Sequence, residues 1–467
     1  MEVTSNTVKL RNVDMDSPKI VKSIIIYCLP LILINLIQTV FNSVDMIMLN
    51  SFDPDAVASV GATTSIIQFL VNTFFGVSTG VKVVLSHQIG AHEEDQAKRT
   101  VSTSVITSLV LGVVIAIIGF LLSGKFLEWT SCPEESFKGA DTYMKIYFLG
   151  VPGIMLYNFA SAIITTSGDT RRPLYYMIIS GGLNVILNFI LLMILPEKVM
   201  AVAIATAVSQ LVGALLALFR LMRMDGICRF DVKRIRLSFS ALKKIMFNGL
   251  PIAFCNGLMP LSNLQIQTGF NELGPAVIAG NSAASSIEGL IGAITNSTLA
   301  NAVSVFVGYN LGARRPKMVK KSILTCLVLG MSGTVILSAI VLILSRPLAS
   351  LYVTGEDAIR ATQVRLFYNV TFYFVACAHS LFGHIIQAFG YSIISTVNSI
   401  VSVLGFRVFW MTVIYPPHRV IEAPIESMNW IVMCWPISWG LLLAANIAIF
   451  LYLYYGKFKK DKLKKLT

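Results

Sequence analysis

The chain has 467 residues, of which 55% are hydrophobic and 13% charged, with a mean hydropathy of +0.73. A soluble domain carries about 25% charged residues, so a water-soluble fold is excluded for most of this chain. The net charge of +13, from 37 Lys and Arg against 24 Asp and Glu, must then sit in loops between apolar spans, and nucleic acid is not expected as a partner. The seven cysteines are scattered, odd in number and mostly inside apolar stretches, so no disulfide framework is readable.

Residues 1–19 are polar and read as a cytoplasmic tail, and the apolar run that follows is too long for a signal-peptide core of about 7 to 15 residues. A bilayer-spanning helix needs about 20 mostly apolar residues. Twelve such runs occur, at 20–48, 57–85, 99–122, 139–167, 173–195, 200–223, 241–270, 276–307, 320–345, 358–388, 392–414 and 429–455. None alternates polar and apolar residues as a barrel strand does, which predicts an all-α membrane protein with twelve transmembrane helices. With the N-terminus inside, 28 of the 37 Lys and Arg fall on the cytoplasmic side, so both termini are expected there.

The first span carries Pro30, a helix-bend position, and Asp45 near its outer end. An acid at a helix centre costs roughly 2.5 to 3.5 kcal/mol on insertion scales, so Asp45 is expected to face the interior and be protonated, paired or ion-bound. The alternative is a carboxylate solvated by headgroups at the helix end. On the second span the amides Gln68 and Asn72, one turn apart, are candidates to line a substrate cavity. The fifth span presents Asn184 and Asn188 on one face and the sixth presents Thr206. Amides with a hydroxyl can hold a protonated carboxyl or coordinate a cation, although ordinary bonds between helices use the same groups.

The second half repeats the first. Leu29-Pro30 recurs as Leu250-Pro251, and Pro54 recurs as Pro275 at the same spacing. Gln88-Ile-Gly-Ala91 matches Asn310-Leu-Gly-Ala313 at a spacing longer by one, as Gly168 matches Gly390. Two six-helix lobes follow, 20–226 and 241–455, related as a parallel repeat and joined by a basic linker at 227–240, with a basic cytoplasmic tail at 456–467. Pro251 is the second helix-bend position. The eighth span holds Asn281 and Glu288 as further substrate-cavity candidates, and Arg407 is read as the only basic residue deep in a span. At 1.5 Å per residue Glu288 lies about 18 Å and Arg407 about 12 Å below the outer ends of their helices, close enough for an ion pair. Glu288 as a substrate or ion ligand is the other reading.

Enzyme signals are weak. Gly119 to Lys125 has the P-loop glycines and lysine but Phe126 where Ser or Thr is needed, and it closes a membrane helix instead of following a strand. His379 and His384 lie about 140° apart around a helix and cannot share a metal as an i, i+4 pair does. No catalytic residue, metal or cofactor is expected.

With these residues in view, the chain resembles the prokaryotic multidrug and toxic compound extrusion family, nearest its DNA-damage-inducible branch. The resemblance rests on the pattern from Pro30 to Asp45, the Gln88-Ile-Gly-Ala loop and its repeat at Asn310, Ser167-Gly-Asp-Thr-Arg-Arg-Pro173, and Asn184-x-x-x-Asn188. It implies a bacterial inner-membrane antiporter, a monomer among membrane lipids, that exports small organic and often cationic compounds by alternating access through a cavity between two lobes. Entry of H⁺ or Na⁺ would drive it. Asp45, Asn184 and Thr206 match the family's coupling residues, and Asn188 stands where the branch often has Asp. Met259 and Ala378 replace acids that other members carry in the second half. The alternative is a flippase of the same superfamily for lipid-linked oligosaccharides or polyprenyl pyrophosphate, which should place several basic groups in the cavity.

Overall fold

The computed structural model describes residues 13–458 apart from 14, 16, 131 and 421. The expected tails at 1–19 and 456–467 therefore lie largely outside the described residues. Among the described residues the chain is helical, without strands. The first six membrane helices are α1 (Ile20–Phe52), α2 (Ala56–Gly90), α3 (Glu94–Trp129), α4 (Glu134–Thr166), α5 (Arg171–Ile194) and α6 (Lys198–Arg223). Then come α7 (Phe239–Asn271), α8 (Pro275–Gly312), α9 (Pro316–Ile343), α10 as two segments (Glu356–Thr371 and Tyr373–Ala388), α11 (Ser392–Ile414) and α12 (Pro424–Tyr455).

Each of the twelve predicted spans falls on one of these helices. Several helices run past the apolar stretch at both ends, because backbone hydrogen bonding continues into the headgroup region where hydropathy has already fallen. Helix α1 continues unbroken through Pro30, as α7 does through Pro251. A proline in a helix interior removes one i→i−4 bond. The two segments of α10 meet at 47°, at a break marked by neither Pro nor Gly.

The chain forms two compact units, residues 1–253 with 312–314, and residues 254–311 with 315–467. The division falls inside α7, beyond the basic 227–240 segment. Two features tie that segment and the start of α7 to the first unit. Arg236 and Ser238 donate their backbone N–H groups to Ser102 Oγ and Thr103 Oγ1 of α3, at 3.1 and 3.0 Å. Gly76 and Gly80 of α2 then lie so close to Ala253 and Gly249 of α7 that an added Cβ would overlap backbone atoms. Such small-residue seams are how membrane helices associate where lipid supplies no hydrophobic drive.

The second unit uses the same device between α8 and α10, where Gly280 faces Ala361. Ala284, Ile287 and Ile291 continue that seam against Leu366 and Val370. The repeat also reaches the backbone. Gly168 and Gly390 both adopt positive φ, 90° and 86°, in the turns after α4 and α10. His92 and Arg314, which stand at that same repeat spacing, are the non-glycine residues with positive φ among those described, at 57° and 55°. Left-handed backbone is uncommon outside Gly, so its recurrence at equivalent loop positions marks the same turn built twice.

Candidate functional site

In the first unit three helices converge on one carboxylate. Asp45 of α1 is half-buried, while Asn184 and Asn188 of α5 are buried. Asn188 donates its amide to Asp45 Oδ1 at 2.7 Å. The i, i+4 spacing brings Asn188 Nδ2 to 3.3 Å from Asn184 Oδ1, and Asn184 in turn reaches Thr206 Oγ1 of α6 at 3.4 Å. All four residues singled out in the sequence are therefore within one hydrogen-bonded chain. Among the described residues no Lys or Arg forms an ion pair with Asp45.

The chemistry of this cluster depends on the Asn184 amide. Turned with its nitrogen toward α1, it donates to Asp45 Oδ1 at 2.7 Å and Oδ2 at 3.1 Å, as an ionised carboxylate requires. Turned the other way, it presents an oxygen that can only accept, which suits a protonated carboxyl. Asn188 Oδ1 is buried and has no hydrogen-bond partner. A lone carboxylate, a reversible amide and a spare carbonyl oxygen together form a group that can take up either a proton or a small cation.

Gln68 is exposed and Asn72 half-buried on α2, and neither is hydrogen-bonded to these four residues. The predicted partnership of Glu288 with Arg407 is corrected by the structure. Glu288 on α8 pairs with Arg365 on α10, which donates from Nε to Oε1 at 3.0 Å and from Nη2 to Oε2 at 2.7 Å. Asn369 Nδ2 adds a third bond to Oε1 at 3.0 Å, and the Tyr373 hydroxyl donates to the Glu288 backbone carbonyl at 3.2 Å. Arg365 also donates to the side-chain oxygen of Asn281, whose own amide donates to Gln267 Oε1 at 3.1 Å. The two cavity candidates of α8, Glu288 and Asn281, are thus both engaged by one guanidinium.

The physical reason lies in the α8–α10 seam. Gly280 lets α10 approach closely, and two turns further along α8 the same face puts Glu288 within reach of Arg365. By hydropathy Arg365 reads as one of the residues near the outer ends of helices, although it stands seven residues inside its span, one turn before Asn369. That i, i+4 pair was the available signal. Arg407 on α11 instead bonds Ser262 Oγ and Asn263 Oδ1 of α7 from Nη1, both at 3.1 Å, and Ser438 Oγ of α12 from Nε at 3.4 Å.

A half-buried acid held by neutral amides, on a scaffold of twelve apolar helices built as a repeated six-helix unit, defines a polytopic membrane transporter. The sequence pattern of the MatE family matches twice, over residues 30–190 and 251–411, and the chain belongs to that family. It is 24% identical to a probable multidrug resistance protein, YoeA, of Bacillus subtilis, over 84% of this chain and 86% of the relative. It is also 24% identical to a FAD transporter of Shewanella oneidensis, over 68% and 71% of the two chains. Among solved structures it resembles a MOP superfamily transporter from Pyrococcus furiosus, with a TM-score of 0.83 and 21% identity over 99% of this chain and 100% of the other. An outward-facing multidrug resistance MATE family transporter aligns equally well, with TM-score 0.83, 21% identity and the same coverage.

Proposed function

We propose that the protein is a secondary antiporter of the bacterial inner membrane that exports small organic compounds in exchange for H⁺ or Na⁺ by alternating access. The observation that carries this reading is Asp45, a half-buried carboxylate on a membrane helix whose side-chain partner is the neutral amide of Asn188. A carboxylate kept in such a place without a cationic partner is costly to ionise, and binding a proton or Na⁺ relieves that cost. Inward movement of one positive charge releases about 2.3 kcal/mol per 100 mV, enough to sustain a substrate gradient of more than tenfold when exchange is tight. The names of the multidrug relatives support organic cargo.

The rival flippase reading calls for several unneutralised basic groups facing a pyrophosphate. Of the basic side chains buried among the described residues, Lys82, Arg365 and Arg407, Arg365 is neutralised by Glu288 and Lys82 lies over the Phe75 ring, which favours the antiporter. The test is proteoliposomes with imposed H⁺ or Na⁺ gradients. Ethidium export driven by one of the two, and lost in Asp45→Asn with folding intact, supports the assignment. Export that ignores both gradients, or is unchanged in Asp45→Asn, removes it.

A further inference from the structure

Arg407 is a buried charge that transport coupling leaves unused. It is 6% exposed, and its hydrogen bonds go to Ser262, Asn263 and Ser438, all neutral. Both serines already donate their hydroxyl protons to carbonyls of their own helices, Ser262 to Met259 and Ser438 to Trp435, each at 2.8 Å. They meet the guanidinium as acceptors only. Among the described residues no carboxylate pairs with Arg407 and its Nη2 makes no hydrogen bond. The Trp435 ring carries Arg407 at 5.9 Å and Arg365 at 4.6 Å. With Glu288 cancelling Arg365, this buried cluster keeps one net positive charge. Neutral oxygens and a ring face offset the desolvation of a guanidinium less well than an anion does.

The backbone around Arg407 is unusual too. It lies on a short α-helical stretch (Phe406–Phe409) between two π-helical ones, Ile400–Gly405 and Trp410–Ile414. Wide turns of this kind are frequent at functional sites. A cavity of about 200 Å³ opens between α7 and α11, lined by Gln265, Gly269, Met411 and Tyr415 among others. Gln265 follows Asn263 by two residues and Met411 follows Arg407 by four, so the lining of the cavity begins about one helical turn along α11 from the Arg407 backbone. Tyr415 is 4% exposed and its hydroxyl has no hydrogen-bond partner. The remaining charges lining the cavity, Glu272 and Arg419, pair with each other at 3.1 Å.

We infer that the α7–α11 cleft binds an organic anion, whose carboxylate or phosphate is taken by Arg407 and whose distal acceptor is met by the Tyr415 hydroxyl. Met411, a flexible apolar side chain against Gly269, is the group that yields to admit it. The inference deepens the transport reading by adding an anionic group to the cargo.

The test is equilibrium binding to the full chain in phosphatidylcholine nanodiscs, with 6-hydroxy-2-naphthoate as probe and 6-hydroxy-2-naphthamide as its neutral counterpart. A charge-assisted bond predicts that the acid binds about tenfold or more tighter than the amide. Arg407→Gln should abolish that ratio, Tyr415→Phe should weaken both ligands equally, and Met411→Ala should speed association. Equal binding of acid and amide to the unaltered protein overturns the proposal, and this arm needs no variant to fold. Phosphatidylglycerol added to the nanodiscs separates sources. Displacement of the naphthoate identifies a lipid headgroup as the natural anion, and no displacement identifies a soluble one. Binding requires no ion gradient, so a failure of Asp45-dependent exchange leaves this result standing, and the reverse also holds.

Discussion

The two units share a scaffold and differ in their charges. The polar cluster of the first holds one acid, Asp45, among amides, whereas that of the second holds an acid already neutralised by Arg365 and a base, Arg407, that is not. At the two spacings of the repeat, Asp45 corresponds to Ile266 or Gln267, Glu288 to Ile67 or Ile66, and Arg407 to Ile186 or Val185. Each charge therefore stands opposite an uncharged residue. Duplicated helices have thus kept their packing and taken up chemistry independently. On the readings proposed above, the two unpaired charges are ligand sites and the paired one is a strut.

The largest contrast should appear in Asp45→Asn, which keeps the shape of the side chain and removes its charge. Ion-coupled flux in proteoliposomes is expected to vanish while thermal stability stays within about 1 kcal/mol, since the partners of Asp45 are neutral. A large loss of stability would make Asp45 a strut like Glu288.

The opposite pattern is expected at the ion pair. Glu288→Gln or Arg365→Met alone should destabilise by about 3 to 5 kcal/mol, because each strands a buried charge, and the double variant should recover most of that loss. Additive losses in a melting cycle would dissolve the distinction between the units. Crowding at the seam comes next. Gly280→Ala would place a Cβ 2.6 Å from that of Ala361, and a cost of about 1 to 3 kcal/mol is expected, read as a lowered melting point.

The smallest effects probe the shared scaffold. Gly168→Ala and Gly390→Ala each force a side chain into left-handed backbone, with nothing within 4 Å of the new Cβ at Gly390. Each should cost about 1 to 2 kcal/mol, and the two should agree. Unequal losses in matched denaturation curves would show that the turns are not equivalent.

The sequence made the twelve helices legible because apolar length is a strong signal, and it made the first cluster legible because Asn184 and Asn188 share a helix face by spacing alone. It did not reveal the partner of Glu288. Partner choice depends on which helices are neighbours, and the proximity of α10 to α8 rests on Gly280 and Ala361, which look like any other small residues in a span. The break in α10 carries no Pro or Gly, so a window of hydropathy passes straight through it.

The π-helical turn of α8, Ala293–Ser297, bears on the history of the chain. Pro54 and Pro275, which open the second and eighth helices, stand at the shorter of the two repeat spacings, whereas the loops that close them, at Gln88 and Asn310, stand at the longer. The interval from Pro275 to Asn310 is therefore longer than that from Pro54 to Gln88 by one residue. A π turn is how a helix absorbs one inserted residue without rotating the rest by about 100°. The α2 helix is α-helical throughout, so the insertion has a place, and a mechanism for having been tolerated. Removing one residue between Ala293 and Ser297 should return α8 to an uninterrupted α-helix and restore a single spacing to the ancestral duplication.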